Sequence, residues 1–208
     1  PIATMGRVQN VLVVRNDLPA KNVQQLIELA RKNPGKLNMA SGGNGTTGHL
    51  GGELFKAMAG VFLIHVPYRG ASPALTDLMG GTVDLMFDNI ASAVPHIRAG
   101  RVRALGVSGM QRSSELPDVP TIHEAGLKNY ETTAWGGVVG PAGMAPELVQ
   151  RLNREINRTL ALPAVKERYA AMAWEIQTSA APDALMALAR AEAPRWADVV
   201  RRSGAKMD

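Results

Sequence analysis

The densest run of chemically useful groups in this 208-residue chain is Met39-Ala40-Ser41-Gly42-Gly43-Asn44-Gly45-Thr46-Thr47-Gly48-His49-Leu50. A strand pattern precedes it and a helical pattern follows it. At such a junction the first N–H groups of the helix have no intrahelical acceptor, and the aligned peptide dipoles favour a negative charge. Gly42, Gly43 and Gly45 let the backbone approach a ligand closely. Asn44 sits among them, and the hydroxyls of Ser41, Thr46 and Thr47 add donors. The chemistry this spacing suits is anion capture, where each charge-assisted hydrogen bond contributes roughly 1.5–3 kcal/mol. The plainer alternative is a tight strand-to-helix turn capped by threonines, which needs fewer glycines and hydroxyls than stand here.

Two further segments fall where ligands collect in an open α/β sheet, at the carboxyl ends of strands. His65-Val66-Pro67-Tyr68-Arg69-Gly70 ends one strand: Tyr68 offers a wall and a hydroxyl, Arg69 a positive charge. Read without a ligand, Pro67 and Gly70 shape a turn and Arg69 is solvated. Asp88-Asn89 ends the next strand, where Asp88 either faces a ligand or caps the following helix.

Other chemistries fit less well. Gly43-x-Gly45-x-x-Gly48 matches the dinucleotide fingerprint, and Arg69 stands about 20 positions on, where an acidic residue is expected for NAD. An NADP-binding oxidoreductase domain is therefore the alternative function. A P-loop is excluded because His49-Leu50, not Lys-Ser/Thr, follows Gly48. Ser41 and Ser108 lack the Gly-x-Ser-x-Gly setting of a hydrolase nucleophile. His49, His65, His96 and His123 never reach paired metal-ligand spacing, and His49, in the first turn of its helix, reads as a packing or capping residue. The chain has no cysteine, so thiol chemistry and Cys-ligated metals are excluded. No catalytic group, cofactor or metal is expected.

The 23 Lys and Arg exceed the 18 Asp and Glu for a net charge of +5, which favours anionic partners through steering. The basic residues are spread out, and 4% aromatic content is too little for a base-stacking platform, so nucleic acid is not expected. No apolar run approaches the roughly 20 residues of a membrane-spanning helix. The opening residues 1–7 lack the shape of a signal peptide; with no initiator Met, the chain reads as a mature form or a fragment.

The elements that must hold these residues alternate. Strands are expected at 11–14, 37–41, 61–66, 83–87 and 102–108. Helices are expected at 23–32 after an Asn22 cap, from Thr46 or Thr47 to Gly60 with Leu50, Leu54, Phe55 and Met58 on one face, and at 73–79 and 92–99. This series predicts a mostly parallel sheet with helices on both faces. Thr121 and Glu124 have capping-box spacing, and 132–139 is a further strand. Three helices follow, at 145–160, 163–172 and 182–202, with one extended piece at 175–178.

In this order the stretches 9–14, 18–21, 37–50, 65–70, 73–80, 83–89, 116–121, 124–126 and 140–143 resemble the substrate-binding proteins of tripartite tricarboxylate transporters, the Bug-type periplasmic receptors. The likeness runs nearly the whole chain. It implies a Venus-flytrap, periplasmic-binding-protein-like fold. Residues 11–133 would form the complete second lobe, and 1–10 with 134–208 the inter-lobe crossings and the C-terminal helical portion of an otherwise missing first lobe, the N-terminal third of the receptor being absent. Segments 7–14 and 132–139 would be the crossings. The resemblance further implies a periplasmic, non-enzymatic receptor that hands a small carboxylate to membrane transporter subunits. One carboxylate group would be held by Ser41, Gly42, Gly43, Asn44, Gly45, Thr46 and Thr47, and the far end read by Tyr68, Arg69, Asp88 and Trp135. The loop departs from the family pattern at Gly42, Thr47 and Gly48, where Ala, Pro and Ser are common. Helical stripes Leu148/Leu152/Ile156/Leu160 and Leu185/Leu188/Val199 lack their usual cover, so the truncated form is expected to self-associate through its C-terminal helices, or those helices to be mobile.

Overall fold

The computed structural model describes residues 1–204. Seven strands and seven helices are found there: β1 (Ala3–Arg15), α1 (Val23–Lys32), β2 (Asn38–Ser41), α2 (Thr47–Ala59), β3 (Ile64–Pro67), α3 (Ala71–Met79), β4 (Leu85–Asn89), α4 (Ile90–Arg98), β5 (Val102–Val107), β6 (Thr133–Val138), α5 (Pro146–Leu160), α6 (Pro163–Ala171), β7 (Trp174–Ile176) and α7 (Ala184–Ser203). The chain divides into two compact units, one of residues 1–8 with 134–198, the other of residues 9–133 with the chain from Val199.

In the larger unit the strand order is β3-β2-β4-β1-β5. β2 is parallel to β3 and β4, whereas β1 is antiparallel to β4 and β5. β2, β3, β4 and β5 therefore run one way and β1 alone runs back, which is the expected mostly parallel sheet with one reversed strand. Helix α1 forms because Val23, Leu26, Ile27 and Ala30 recur on one face, and all four are buried. Its cap is Asn22, whose side chain accepts the Gln25 N–H at 2.9 Å. These residues join Leu12, Met39, Phe55, Phe87 and Tyr130 in the core, each large side chain contributing roughly 1.5–3 kcal/mol on burial. Asp84 ties two strands, accepting Arg15 Nε at 2.9 Å and the Asn38 N–H at 2.7 Å.

Helix α2 departs from the expected face. Its buried residues are Gly48, His49, Gly51, Gly52, Phe55 and Ala59; Leu50 and Leu54 are half-buried and Met58 is 36% exposed. The glycines bring the helix backbone against the sheet, so the small-residue face turns inward. Thr121 and Glu124 do form the reciprocal pair, Thr121 N–H to Glu124 Oε2 and Glu124 N–H to Thr121 Oγ1, both 2.9 Å, but they close a turn rather than open a helix.

In the smaller unit the first half of β1 pairs antiparallel with β7, Arg7 opposite Glu175, and Arg7 Nε meets Glu175 Oε2 at 2.9 Å. β6 also pairs with β1. Asn153 on α5, 1% exposed, donates to the carbonyls of Ile2 and Ser179 at 2.9 and 3.1 Å. Among the described residues no helix is long and apolar enough to cross a membrane.

Candidate functional site

β2 delivers Ser41 to the carboxyl edge of the sheet, and the chain turns through Gly42–Gly45 into α2. The neighbouring β3–α3 connection lies alongside: the Tyr68 N–H donates to Ser41 O at 3.0 Å and the Gly70 N–H to Gly42 O at 3.1 Å. Ser41 to Thr47, with Tyr68 and Arg69, are thus brought to one edge.

The loop is strongly self-organised. Thr46 caps α2: its Oγ1 accepts the His49 N–H at 3.3 Å and donates to Gly43 O at 2.8 Å. Ser41 Oγ accepts the Gly43 N–H at 3.2 Å. Gly45, with φ of 74°, donates its N–H to His49 Nδ1 at 3.1 Å. A residue with a side chain would be strained at that φ. Asn44, Gly45 and Thr47 are exposed. The N–H groups of Thr47 and Gly48, at the first and second helical positions, have no acceptor inside α2, and no acidic residue occupies its first turn. The arrangement can hold a small anion on the Thr47 and Gly48 amides and the exposed Thr47 hydroxyl, with the helix dipole behind them.

The flanking candidates divide. Tyr68 is half-buried and donates its hydroxyl to Asp77 Oδ2 at 2.7 Å; burial first, then that bond, push the phenol up to about 12. It therefore offers a neutral wall. Arg69 is exposed. Asp88 is 3% exposed and accepts from Ser92 Oγ at 2.6 Å, so its carboxylate serves the first turn of α4. Burial raises its pKa, against the Ser92 bond. The α4 cap is Asn89, accepting the Ala91 N–H at 3.0 Å. Trp135 lies on β6, in the other unit.

Three contacts lie beyond the local pattern of the sequence. Asn10 Nδ2 reaches Thr47 Oγ1 at 3.4 Å from β1. Ser108, fully buried, accepts the Asn10 N–H at 2.9 Å and donates to Thr132 O. His65 stands 2.7 Å from Ser41 Oγ. The even run of polar residues at Gln9-Asn10 was the available signal for the first; the others depend on distant pairings. Among the described residues no group of three or more His, Cys, Asp or Glu is placed to hold a metal ion.

Residues 1–205 match the family model described as the tripartite tricarboxylate transporter family receptor. A UPF0065 protein from the tcbD–tcbE intergenic region of Pseudomonas sp. (strain P51) is 45% identical over 96% of this chain and 60% of its own length. Protein BugT of Bordetella pertussis is 36% identical over 100% of this chain and 63% of its own length. The chain thus spans less than two thirds of these relatives. Among solved structures, R. palustris Rpa4515 with adipate is 36% identical at a TM-score of 0.88, covering 99% of this chain and 68% of that one. MatC from Rhodopseudomonas palustris with bound malate is 32% identical at 0.84, covering 96% and 69%. The periplasmic binding protein BugD is 34% identical at 0.86, covering 100% and 70%.

Proposed function

The chain belongs to the tripartite tricarboxylate transporter receptor family, and on that premise we propose that it is the greater part of an extracytoplasmic receptor that captures a small carboxylate. The observation that carries this is the end of the 41–47 loop, where the Thr47 and Gly48 amides have no acceptor inside α2, the exposed Asn44 and Thr47 lie beside them, and no carboxylate occupies the first turn. The loop of Ser41, Gly42, Gly43, Asn44, Gly45, Thr46 and Thr47 takes one carboxylate group at its α2 end, with Asn44 and Thr47 facing it, while Ser41, Gly43, Gly45 and Thr46, bonded within the loop, shape it. Tyr68, neutral at any physiological pH, and Arg69 face the rest of the ligand. Two similar structures hold adipate and malate, which supports an aliphatic dicarboxylate as the ligand class. The net charge of +5 assists its capture.

The receptor binds without catalysis and delivers its ligand to the membrane subunits of a tripartite transporter. The region by which the relatives exceed this chain supplies the opposing loop of the site. The dinucleotide alternative is not supported by these likenesses: the family is described as a receptor family and BugD as a periplasmic binding protein.

The test is calorimetric titration of malate, adipate and citrate into this chain and into a longer chain extended at its N-terminus to the relatives' length. The longer chain should bind at least one acid. This chain should bind it more weakly by orders of magnitude, since each charge-assisted bond lost costs roughly 1.5–3 kcal/mol and each 1.4 kcal/mol is tenfold. No binding of any of these acids by the longer chain, or NADP binding in their place, would overturn the reading.

A further inference from the structure

Two imidazoles stand behind the loop. The rings of His49 and His65 are nearly parallel, 7° apart, with centroids separated by 3.7 Å. His49 Nδ1 accepts the Gly45 N–H at 3.1 Å. His65 Nε2 lies 2.7 Å from Ser41 Oγ, which accepts the Gly43 N–H at 3.2 Å. Two loop amides therefore end on this pair, one directly and one through Ser41. We propose that the stacked His49–His65 pair is the positioning device of the ligand loop, holding the Gly43 and Gly45 amides in place while both rings are neutral and releasing Gly45 when His49 takes a proton. Its functional meaning rests on the carboxylate reading; its geometry does not.

On the side where a Cβ would stand, Gly45 faces open space, so no side-chain packing on that side holds it. The bond to His49 is what fixes it. That bond also fixes the tautomer: an Nδ1 that accepts is unprotonated, so the neutral ring carries its proton on Nε2. A second proton turns Nδ1 into a donor facing the Gly45 N–H, and the loop must move. His65 differs. When its Nε2 is a donor, Ser41 Oγ accepts from it, and the Ser41 hydroxyl proton is directed to Gly43 O, 3.1 Å away. His65 thus tolerates a proton that His49 cannot take without breaking the loop.

Among the described residues, the charged groups acting on the pair, Glu53 and Lys56, come from α2. Glu53 Oε1 lies 3.8 Å from His49 Nε2 and favours a charge there; Lys56, paired with Glu53 at 2.7 Å, opposes one on either ring. Burial is the largest effect on both: it lowers His49 and takes His65 down to about 4, with His49 itself adding to the effect. Burial thus favours the neutral pair, and because two charges on stacked rings repel each other, the rings do not take protons together. A cleft of about 460 Å³ lined in part by Asn44, His49, Glu53, Lys56 and His65 admits the proton.

The experiment is nuclear magnetic resonance on this chain, with ring-nitrogen spectra of the histidines and amide exchange at Gly43 and Gly45. In the native chain His49 should be protonated on Nε2, and the Gly45 amide should shift with an acid midpoint below 6.5. His49→Phe keeps an aromatic ring in the stack but removes the acceptor; it should speed Gly45 exchange at least tenfold. His49→Asn places an amide oxygen near Nδ1; it should restore protection and abolish the acid step. A neutral His49 protonated on Nδ1, which needs no variant to observe, overturns the proposal. So does unchanged Gly45 exchange in His49→Phe. If the ring and amide results are as expected but the longer chain binds none of the acids above, the positioning device stands and the carboxylate reading falls.

Discussion

A Cβ built on Gly48 would stand 2.3 Å from the carbonyl oxygen of Phe87, so the first turn of α2 lies directly on the backbone of β4. That contact brings the open end of the helix to the sheet edge where the ligand loop sits. Gly48→Ala gains up to about 1 kcal/mol of helix propensity. It must also lift the helix from a backbone atom that cannot rotate away, and overpacking of this kind costs typically 1–3 kcal/mol. The clash wins. Urea unfolding should show a net loss of about 1–2 kcal/mol; a variant as stable as the native chain would mean that α2 rises freely.

Thr46 closes the same turn with its hydroxyl, which accepts from His49 N–H and donates to Gly43 O. Thr46→Ala removes both bonds and should cost about 1 kcal/mol, within the 0.5–2 range for lost N-caps. Thr46→Ser keeps the hydroxyl and should lie within a few tenths of native. Equal melting curves for the two variants would show that the cap contributes nothing.

What the sequence discloses follows the range of the interactions involved. Helix α1 has the bounds expected of it because its signals are local: Asn22 caps it, Asn33-Pro34-Gly35 stops it, and four apolar residues mark its face. The anion loop is legible for the same reason, since its glycines and hydroxyls lie in one short run. The first half of β1 is not. Gln9 and Asn10 are buried because their partners lie far along the chain: Gln9 Oε1 accepts the Gly109 N–H at 3.1 Å, and Asn10 donates to Ser108. The face of α2 misleads because apolar spacing says nothing of glycines that turn inward to let backbones touch. The His49–His65 stack is set by strand pairing, with Met39 opposite His65 in the β2–β3 register, and no local pattern announces it.

The smaller unit carries apolar surface that its own elements leave open. Val139 is 65% exposed, Leu162 51% and Leu148 46%, and Met5, Val138, Leu152, Ile156, Val165 and Tyr169 line a groove of about 410 Å³. Of the stripes read in the sequence, Leu160, Leu185 and Val199 are buried and the rest are less covered. Surface of this kind finds a partner, and for this chain we expect a second copy. Light scattering should show mass rising with concentration for this chain and a constant monomer mass for the longer one. A strict monomer at every concentration would show that the groove needs no cover.

Acid should destabilise the chain through His65. Burial and the neighbouring His49 hold its folded pKa at about 4, against 6.5 in the unfolded chain. Between those values the unfolded chain binds more protons than the folded one, so stability falls as pH falls. The contribution is fully present above 6.5 and is lost progressively as pH falls through about 4, below which both forms are charged; roughly 1–3 kcal/mol is at stake. His49, also lowered by burial, acts in the same direction, whereas Asp88, raised by burial, acts in the opposite one. Total stability therefore mixes several groups, and the informative quantity is a difference. Urea unfolding at pH 7, 5.5 and 4.5 on the native chain and on His65→Gln, which keeps a polar group near Ser41 without a titrating ring, should show the native chain losing more stability across that range. Parallel pH profiles for the two would show that His65 takes up its proton as easily folded as unfolded, against the environment that the stacked ring and buried site provide.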